Sequence, residues 1–371
     1  MTPSVAVAWR LADRFALPGD VVDVRPYGEG LINETFLVVT DAGHRAILQR
    51  INPDVFSAPE QIQRNLRRLL DHVGQQPKDI RRQVCLPAIV PARDGADFHC
   101  GGEGFWRMSR FIEGSETFDV LTNEDQAHQV GSALGRFHAL FSDLSCDLLY
   151  DTLPGFHVTP SYLQHFDQVL AEQRRSEVDS ALKAGLDFVE SRRSVVPVLE
   201  EARRQGVLRT RVIHGDPKVN NVLFERRSGL ALGLIDLDTV KPGLIHYDLG
   251  DCLRSCCNLA GETGTPEDIL FDTAICRSML EGYFAAAGES LTLRDVTLLY
   301  EAIRLIPFEL GLRFLTDHLE GSVYFRVTAP EQNLRRAWVQ FRLVQSIERQ
   351  ASEIQEICER AFAESGRVRI P

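Results

Sequence analysis

From Val21 to Ile51 apolar and polar residues alternate, and Asp41-Ala42-Gly43 interrupts the alternation. A period of two is that of half-buried strands, and Asp-x-Gly is turn chemistry, so the stretch predicts a meander of two or three strands. An amphipathic helix, Val5 to Phe15, precedes it. From Pro59 the period changes: Ile62, Leu66, Leu69 and Leu70 recur at three-and-four spacing and predict a helix. Cys85 to Val90 and Phe98 to Cys100 then flank an Asp94-Gly95 turn and predict another strand pair. Phe105 to Ile112 predicts a last strand, ending at Glu113-Gly114, so strands are expected to stop near residue 115.

Beyond that point helical periodicity dominates: Ala127 to Leu140, Ser161 to Gln173, Val178 to Arg192, Val195 to Gln205, and several stretches after residue 266. The exception is 208–237, where short β-rich runs (Leu208 to Ile213, Val222 to Glu225, Leu232 to Leu237) surround a polar loop. The class predicted is α+β: a sheet-rich lobe over 1–114 with a connector near 110–114, and a helical lobe over 115–371 carrying that loop.

Composition narrows the function. A chain of 371 residues exceeds what one compact core organises, which agrees with two lobes. The net charge of -11 opposes non-specific binding of nucleic acid, which needs a basic surface to displace counterions. No apolar run approaches a membrane span and no signal-peptide pattern opens the chain, so a cytoplasmic protein without a membrane partner is expected. None of the eight cysteines sits in a zinc-type pair of C-x-x-C units. Cys252, Cys256 and Cys257 read as buried small hydrophobes.

The polar loop is His214-Gly215-Asp216-Pro217-Lys218-Val219-Asn220-Asn221, and fifteen residues after the Asn comes Ile235-Asp236-Leu237-Asp238. Phosphoryl transfer needs one carboxylate to orient an attacking hydroxyl and take its proton, and hard oxygen donors to hold magnesium against phosphates. Asp216 suits the first task, Asn221 and Asp236 the second. His214 reads as a hydrogen-bonded buried histidine. As plain turn residues, Asp216 and Asn221 would have no reason to be followed by a second acidic segment.

This loop resembles the H-G-D-x-x-x-x-N and I-D-x-D motifs of the aminoglycoside phosphotransferase and choline kinase superfamily, and most closely those of its N-acetylhexosamine 1-kinase group. The likeness extends over Tyr27 to Thr35, Ile47 to Asn52, Trp106 to Glu113, Asp236 to Gly243, Asp248 to Arg254 and Gly311 to Phe325. It implies a two-lobed, protein-kinase-like fold using ATP and Mg2+. It makes Asp216 the catalytic base, Lys218 a partner of the γ-phosphate, and Asn221, Asp236 and, less directly, Asp238 the metal ligands. Gly28, Gly30 and Asn33 would lie against the nucleotide's phosphates, and the backbone from Phe111 to Glu113 against its adenine.

Kinases of this fold carry a lysine on the third strand for the α and β phosphates, but here that strand ends Ile47-Leu48-Gln49-Arg50. Strand alternation puts Gln49 and Arg50 on opposite faces, and Gln49 is the residue aligned with the lysine. In the hexosamine-kinase group the stretch Arg313 to Tyr324 reaches the sugar, which implies Arg313 and Tyr324 as acceptor contacts; otherwise Arg313 would pair with Asp317 one turn on. Trp338, Phe341, Val344, Ile347, Ala351 and Ile354 form a packing stripe on a long final helix. The function expected is phosphorylation of the anomeric hydroxyl of an N-acetylhexosamine. The alternatives are a kinase for another small alcohol, of the aminoglycoside, choline, homoserine or methylthioribose type, and a nucleotide-binding pseudokinase.

Overall fold

The computed structural model describes residues 3–28, 32–172 and 180–367. Helix α1 (Pro3–Ala12) leads into strands β1 (Val21–Pro26), β2 (Glu34–Thr40) and β3 (Arg45–Ile51), then α2 (Pro59–Gln75) and the single turn α3 (Lys78–Arg81). Strands β4 (His99–Gly101) and β5 (Gly104–Arg110) complete an antiparallel sheet of order β1-β2-β3-β5-β4. The predicted strand over Cys85 to Val90 is instead an irregular segment. It touches β5 through one bridge, Ile89 to Ser109, because Pro87 and Pro91 remove the donors a ladder would need.

Alternation across the sheet decides what faces the rest of the chain. Phe36, Leu48, Trp106 and Met108 point one way into a core closed by Ala8, Leu11 and Phe15. The paired residues between them, Thr35, Gln49 and Arg107, point the other way.

After the two-residue strand β6 (Ser115–Glu116) the chain is mainly helical: α4 (Glu124–Leu140), α5 (Thr159–Glu172), α6 (Ser180–Glu190) and α7 (Val198–Arg204). Strands β7 (Arg211–Ile213), β8 (Val222–Glu225), β9 (Ala231–Leu234) and β10 (Lys241–Gly243) carry the polar loop, in a β10-β7 pair and a β6-β8-β9 sheet. Helices α8 (Ile245–Cys256), α9 (Thr273–Ala287), α10 (Leu293–Val296), α11 (Leu299–Leu319), α12 (Gln332–Arg349) and α13 (Ala351–Phe362) follow. The predicted final helix is thus two helices, joined at Gln350, and Phe341, Val344, Ile347 and Ile354 of its stripe are core residues.

Helices α4 and α9 meet backbone to backbone, since a Cβ on Gly131 would lie 1.9 Å from the Met279 carbonyl oxygen. Cys252, Cys256 and Cys257 are fully buried in the same core. No helix among the described residues is long and apolar enough to cross a membrane.

Candidate active site

Strand β7 delivers the polar loop into the cleft, and a buried carboxylate holds it there. Asp248, in the first turn of α8, accepts the backbone N–H of His214 (2.7 Å) and of Gly215 (2.8 Å), and its Oδ2 lies 2.9 Å from His138 Nε2. Gly215 takes a left-handed φ of 88°, and a Cβ there would stand 2.6 Å from the Thr239 carbonyl oxygen, so only glycine fits. His214 is completely buried and bonds the Ile235 carbonyl (3.0 Å) through Nε2. Burial lowers its pKa and keeps it neutral, the structural part expected of it.

The loop turns its next residues toward one another. Asp216 Oδ2 accepts from Lys218 Nζ (2.7 Å) and Asn221 Nδ2 (3.1 Å), and Asn221 Nδ2 also donates to the Asp216 carbonyl (2.8 Å). Asp216 Oδ1 and Asn221 Oδ1 have no hydrogen-bond partner among the described residues. Desolvation pulls the Lys218 pKa down, but the charges of Asp216 and Asp236 outweigh it and the ammonium is held charged.

Asp236 is not on a strand, contrary to expectation. Strand β9 ends at Leu234, and Asp236 sits in the left-handed region at φ 62° before a 3-10 turn, Leu237–Thr239. A short polar side chain tolerates that conformation. The turn aims Asp236 into the cleft and Asp238 two residues on toward the N-terminal lobe. Asp236 is solvent-accessible, yet atoms of both lobes crowd it. That crowding, then the charges of Asp238 and Asp216, raises its pKa, against the pull of Lys218 and Arg107. Its carboxylate makes no hydrogen bond among the described residues.

Asp238 is buried and already engaged. Asn33 Nδ2 donates to its Oδ2 (2.8 Å), and Arg107 Nη2 lies 2.5 Å from its Oδ1 as an ion pair. Asn33 is fixed by accepting the Asn52 N–H at 3.0 Å. Gln49 reaches the same place: its Oε1 accepts from Arg107 Nε (3.1 Å) and Nη2 (2.8 Å), and its Nε2 donates to Thr35 Oγ1 (3.2 Å). Arg50 points to the opposite face and pairs with Glu34, as alternation required.

The remaining nucleotide-side expectations fall elsewhere on the lobe. Gly28 has φ 72° with no atom of the described residues within 4 Å of a Cβ placed there, and Gly30 lies outside those residues. At the connector the Phe111 N–H bonds the Arg45 carbonyl (3.2 Å) and the Ile112 carbonyl accepts from Ser115 Oγ (2.6 Å). Arg45 lies 4.3 Å over the Phe111 ring and pairs with the Glu113 carboxylate. The Glu113 backbone N–H makes no hydrogen bond among the described residues.

On the other side of the loop, Arg313 of α11 is ringed by Phe156, Tyr162, Tyr324 and Phe325, with its guanidinium carbon 5.0–5.9 Å from the ring centroids. It is not paired with Asp317, whose carboxylate instead accepts the Tyr324 and Phe325 N–H groups and Asn333 Nδ2. Tyr324 is exposed and its hydroxyl makes no hydrogen bond among the described residues. Sequence reasoning missed Asp251, which is 5% exposed: Oδ1 accepts from Arg254 Nε (2.8 Å), while Oδ2 has no hydrogen-bond partner among the described residues. Burial works against its charge, but Arg254, then His157 and Lys218, hold the Asp251 carboxyl below its ordinary value. His157, itself buried, bonds the Gly215 carbonyl (2.9 Å) and Glu309 (3.0 Å).

Residues 23–295 match the model of a family described as the phosphotransferase enzyme family. Solved structures with the same fold include an aminoglycoside phosphotransferase from Alicyclobacillus acidocaldarius, at 16% identity and TM-score 0.58, covering 96% of each chain. A microcompartment-associated aminopropanol kinase matches at 18% and 0.61, over 94% of this chain and 98% of its own. A choline kinase from Cryptosporidium parvum matches at 15% and 0.62, over 95% and 97%. These likenesses establish the two-lobed, kinase-like fold.

Proposed function

Since the chain belongs to the phosphotransferase enzyme family, we propose that its cleft transfers the γ-phosphoryl group of ATP to the anomeric hydroxyl of an N-acetylhexosamine. The observation that carries the kinase reading is the meeting of Asp216, Lys218 and Asn221 with a cleft-facing Asp236 that has no hydrogen-bond partner among the described residues.

Each side chain then has a task. Asp216 Oδ2 is occupied by Lys218 and Asn221, so Oδ1 is the end that accepts the acceptor's proton. Lys218 stays charged between Asp216 and Asp236 and meets the γ-phosphate. Asn221 Oδ1 and Asp236 are two hard oxygen donors, the number magnesium takes from protein when phosphates and water fill the rest. Among the described residues no group of three or more His, Cys, Asp and Glu is placed to hold a metal by itself, which fits a cation shared with a nucleotide. When bound, Mg2+ would neutralise and align the β and γ phosphates. We assign Asp238 to holding the N-terminal lobe, since both its oxygens face Asn33 and Arg107.

The acceptor assignment rests on Arg313. An aromatic cage is what a cationic acceptor such as choline would seek, but this cage is filled by a guanidinium of the protein. A second cation there would be repelled. A ligand rich in hydroxyl and acyl oxygens instead satisfies the Arg313 donors, which make no hydrogen bond among the described residues.

A coupled ADP-release assay over N-acetylglucosamine, N-acetylgalactosamine, choline, homoserine and an aminoglycoside tests both levels. Turnover with an N-acetylhexosamine is expected. Turnover confined to choline or the aminoglycoside would keep the kinase and overturn the sugar; no turnover with any acceptor would overturn the kinase. Arg313→Ala is expected to raise the acceptor KM at least about 10-fold with the ATP KM unchanged, the loss of a charged hydrogen bond. Equal changes in both constants would remove Arg313 from the pocket. Asp236→Ala is expected to abolish the magnesium dependence of ATP binding in calorimetry, and an unaltered dependence would shift the ligand role to another residue.

A further inference from the structure

A triphosphate entering this cleft meets the carboxylates of Asp216 and Asp236, with Asp238 buried beside them, and the strand β3 position that supplies a lysine in kinases of this fold holds neutral Gln49. The compensating charge is on the neighbouring strand. Arg107 of β5 is the direct cross-strand partner of Gln49 and projects from the same face of the sheet. Its side chain is 9% exposed, and its charge reaches the Asp236 carboxylate. Gln49 Oε1 takes two of its N–H groups and Asp238 neutralises Nη2, which leaves Nη1 without a hydrogen bond among the described residues.

We propose that Arg107 is the cation that binds the nucleotide's α and β phosphates in this protein, with Gln49 as its neutral positioning partner. The inference rests on the ATP-dependent reading above. It accounts for the glutamine: a lysine at 49 would set an ammonium against the Arg107 guanidinium in a nearly dry site, whereas an amide oxygen accepts two of its N–H bonds. It also accounts for Asp238, which holds the guanidinium at the cleft floor. Asn33 grips the other Asp238 oxygen, so the loop after β1 is tied to the same carboxylate as the phosphate-binding cation.

The test is binding, measured by calorimetry without acceptor, of MgATP, MgADP and adenosine to wild type, Arg107→Gln, Arg107→Lys and the double exchange Gln49→Lys with Arg107→Gln. Arg107→Gln is expected to weaken MgATP and MgADP by about 10- to 100-fold, the loss of charged hydrogen bonds to phosphate, and to leave adenosine unchanged. Arg107→Lys should lose less. The double exchange, which restores the lysine on β3, should recover most of the affinity, while Gln49→Lys alone should not tighten binding. A purely structural Arg107 gives another pattern: lower thermal stability with phosphate and adenosine affinities unchanged, or all three ligands weakened alike, and either result overturns the proposal. If Arg107→Gln fails to fold, the test falls to Arg107→Lys, which should weaken MgATP and MgADP and leave adenosine unchanged; adenosine weakened by the same factor also overturns the proposal. A wild-type chain that binds no MgATP would instead sink the kinase reading itself, so the two failures are separable.

Discussion

Replacing Asp216 by Asn is expected to lower the turnover number by about 100- to 10,000-fold, the usual contribution of a general base, while ATP affinity stays within about two-fold of wild type. The substitution keeps the side chain's shape. Its amide oxygen can still accept from Lys218 Nζ and Asn221 Nδ2, the two donors that Asp216 Oδ2 now serves. What is lost is the basic Oδ1 facing the acceptor. The nucleotide contacts assigned to Lys218, Asn221 and Asp236 survive. Thermal stability should change little, because Asp216 is only half-buried and Asp236 remains to balance the Lys218 charge. Steady-state kinetics and a melting curve on one preparation check this. A stable variant that phosphorylates at the wild-type rate would falsify the base assignment.

Asp248→Ala is expected to be the most destabilising single change in the cleft, at about 3–5 kcal/mol, because it strands several buried groups at once. The carboxylate is fully buried and accepts two backbone N–H groups of the polar loop while facing His138 Nε2. Without it the His214 and Gly215 amides have no acceptor, and the glycine turn that presents Asp216 loses its anchor. Urea denaturation should show the helical lobe unfolding at a clearly lower midpoint with a similar slope. Asp248→Asn should fall between, since one amide oxygen can retain one of the two N–H bonds. An alanine variant with the wild-type midpoint would mean that the loop is held by other contacts.

How legible this was in the sequence depends on the distance along the chain over which each feature is encoded. Period-two alternation located β1 to β3, and the spacing of Asp216, Asn221 and Asp236 located the loop and its acidic partner, because those signals lie within a few tens of residues. The failures are of two kinds. Some are local conformations without a pattern. Asp236 has apolar neighbours on both sides and reads as strand, but its φ of 62° makes it a turn, and Cys85 to Val90 is apolar enough for a strand that its prolines forbid.

The others are pairings across the chain. Asn33 meets Asp238 from 205 residues away, Arg107 meets Gln49 from 58, and the Asp248 carboxylate caps amides 34 and 33 residues before it. No periodicity carries such contacts, so Arg107, Asp248 and Asp251 were not singled out, although all three lie in stretches of the family likeness. Arg107 had one available signal. A phosphate site whose usual lysine is a glutamine requires a cation from elsewhere, and an arginine on the last strand of the same sheet was the nearest source.

The claim that this cleft moves a phosphoryl group onto a sugar hydroxyl is tested most directly by 31P NMR of the protein with ATP, Mg2+ and an N-acetylhexosamine. The account predicts that the γ-phosphate signal declines in step with a new phosphomonoester signal split by the anomeric proton. Decline of the γ signal into inorganic phosphate alone, or no change in the presence of the sugar, would contradict it.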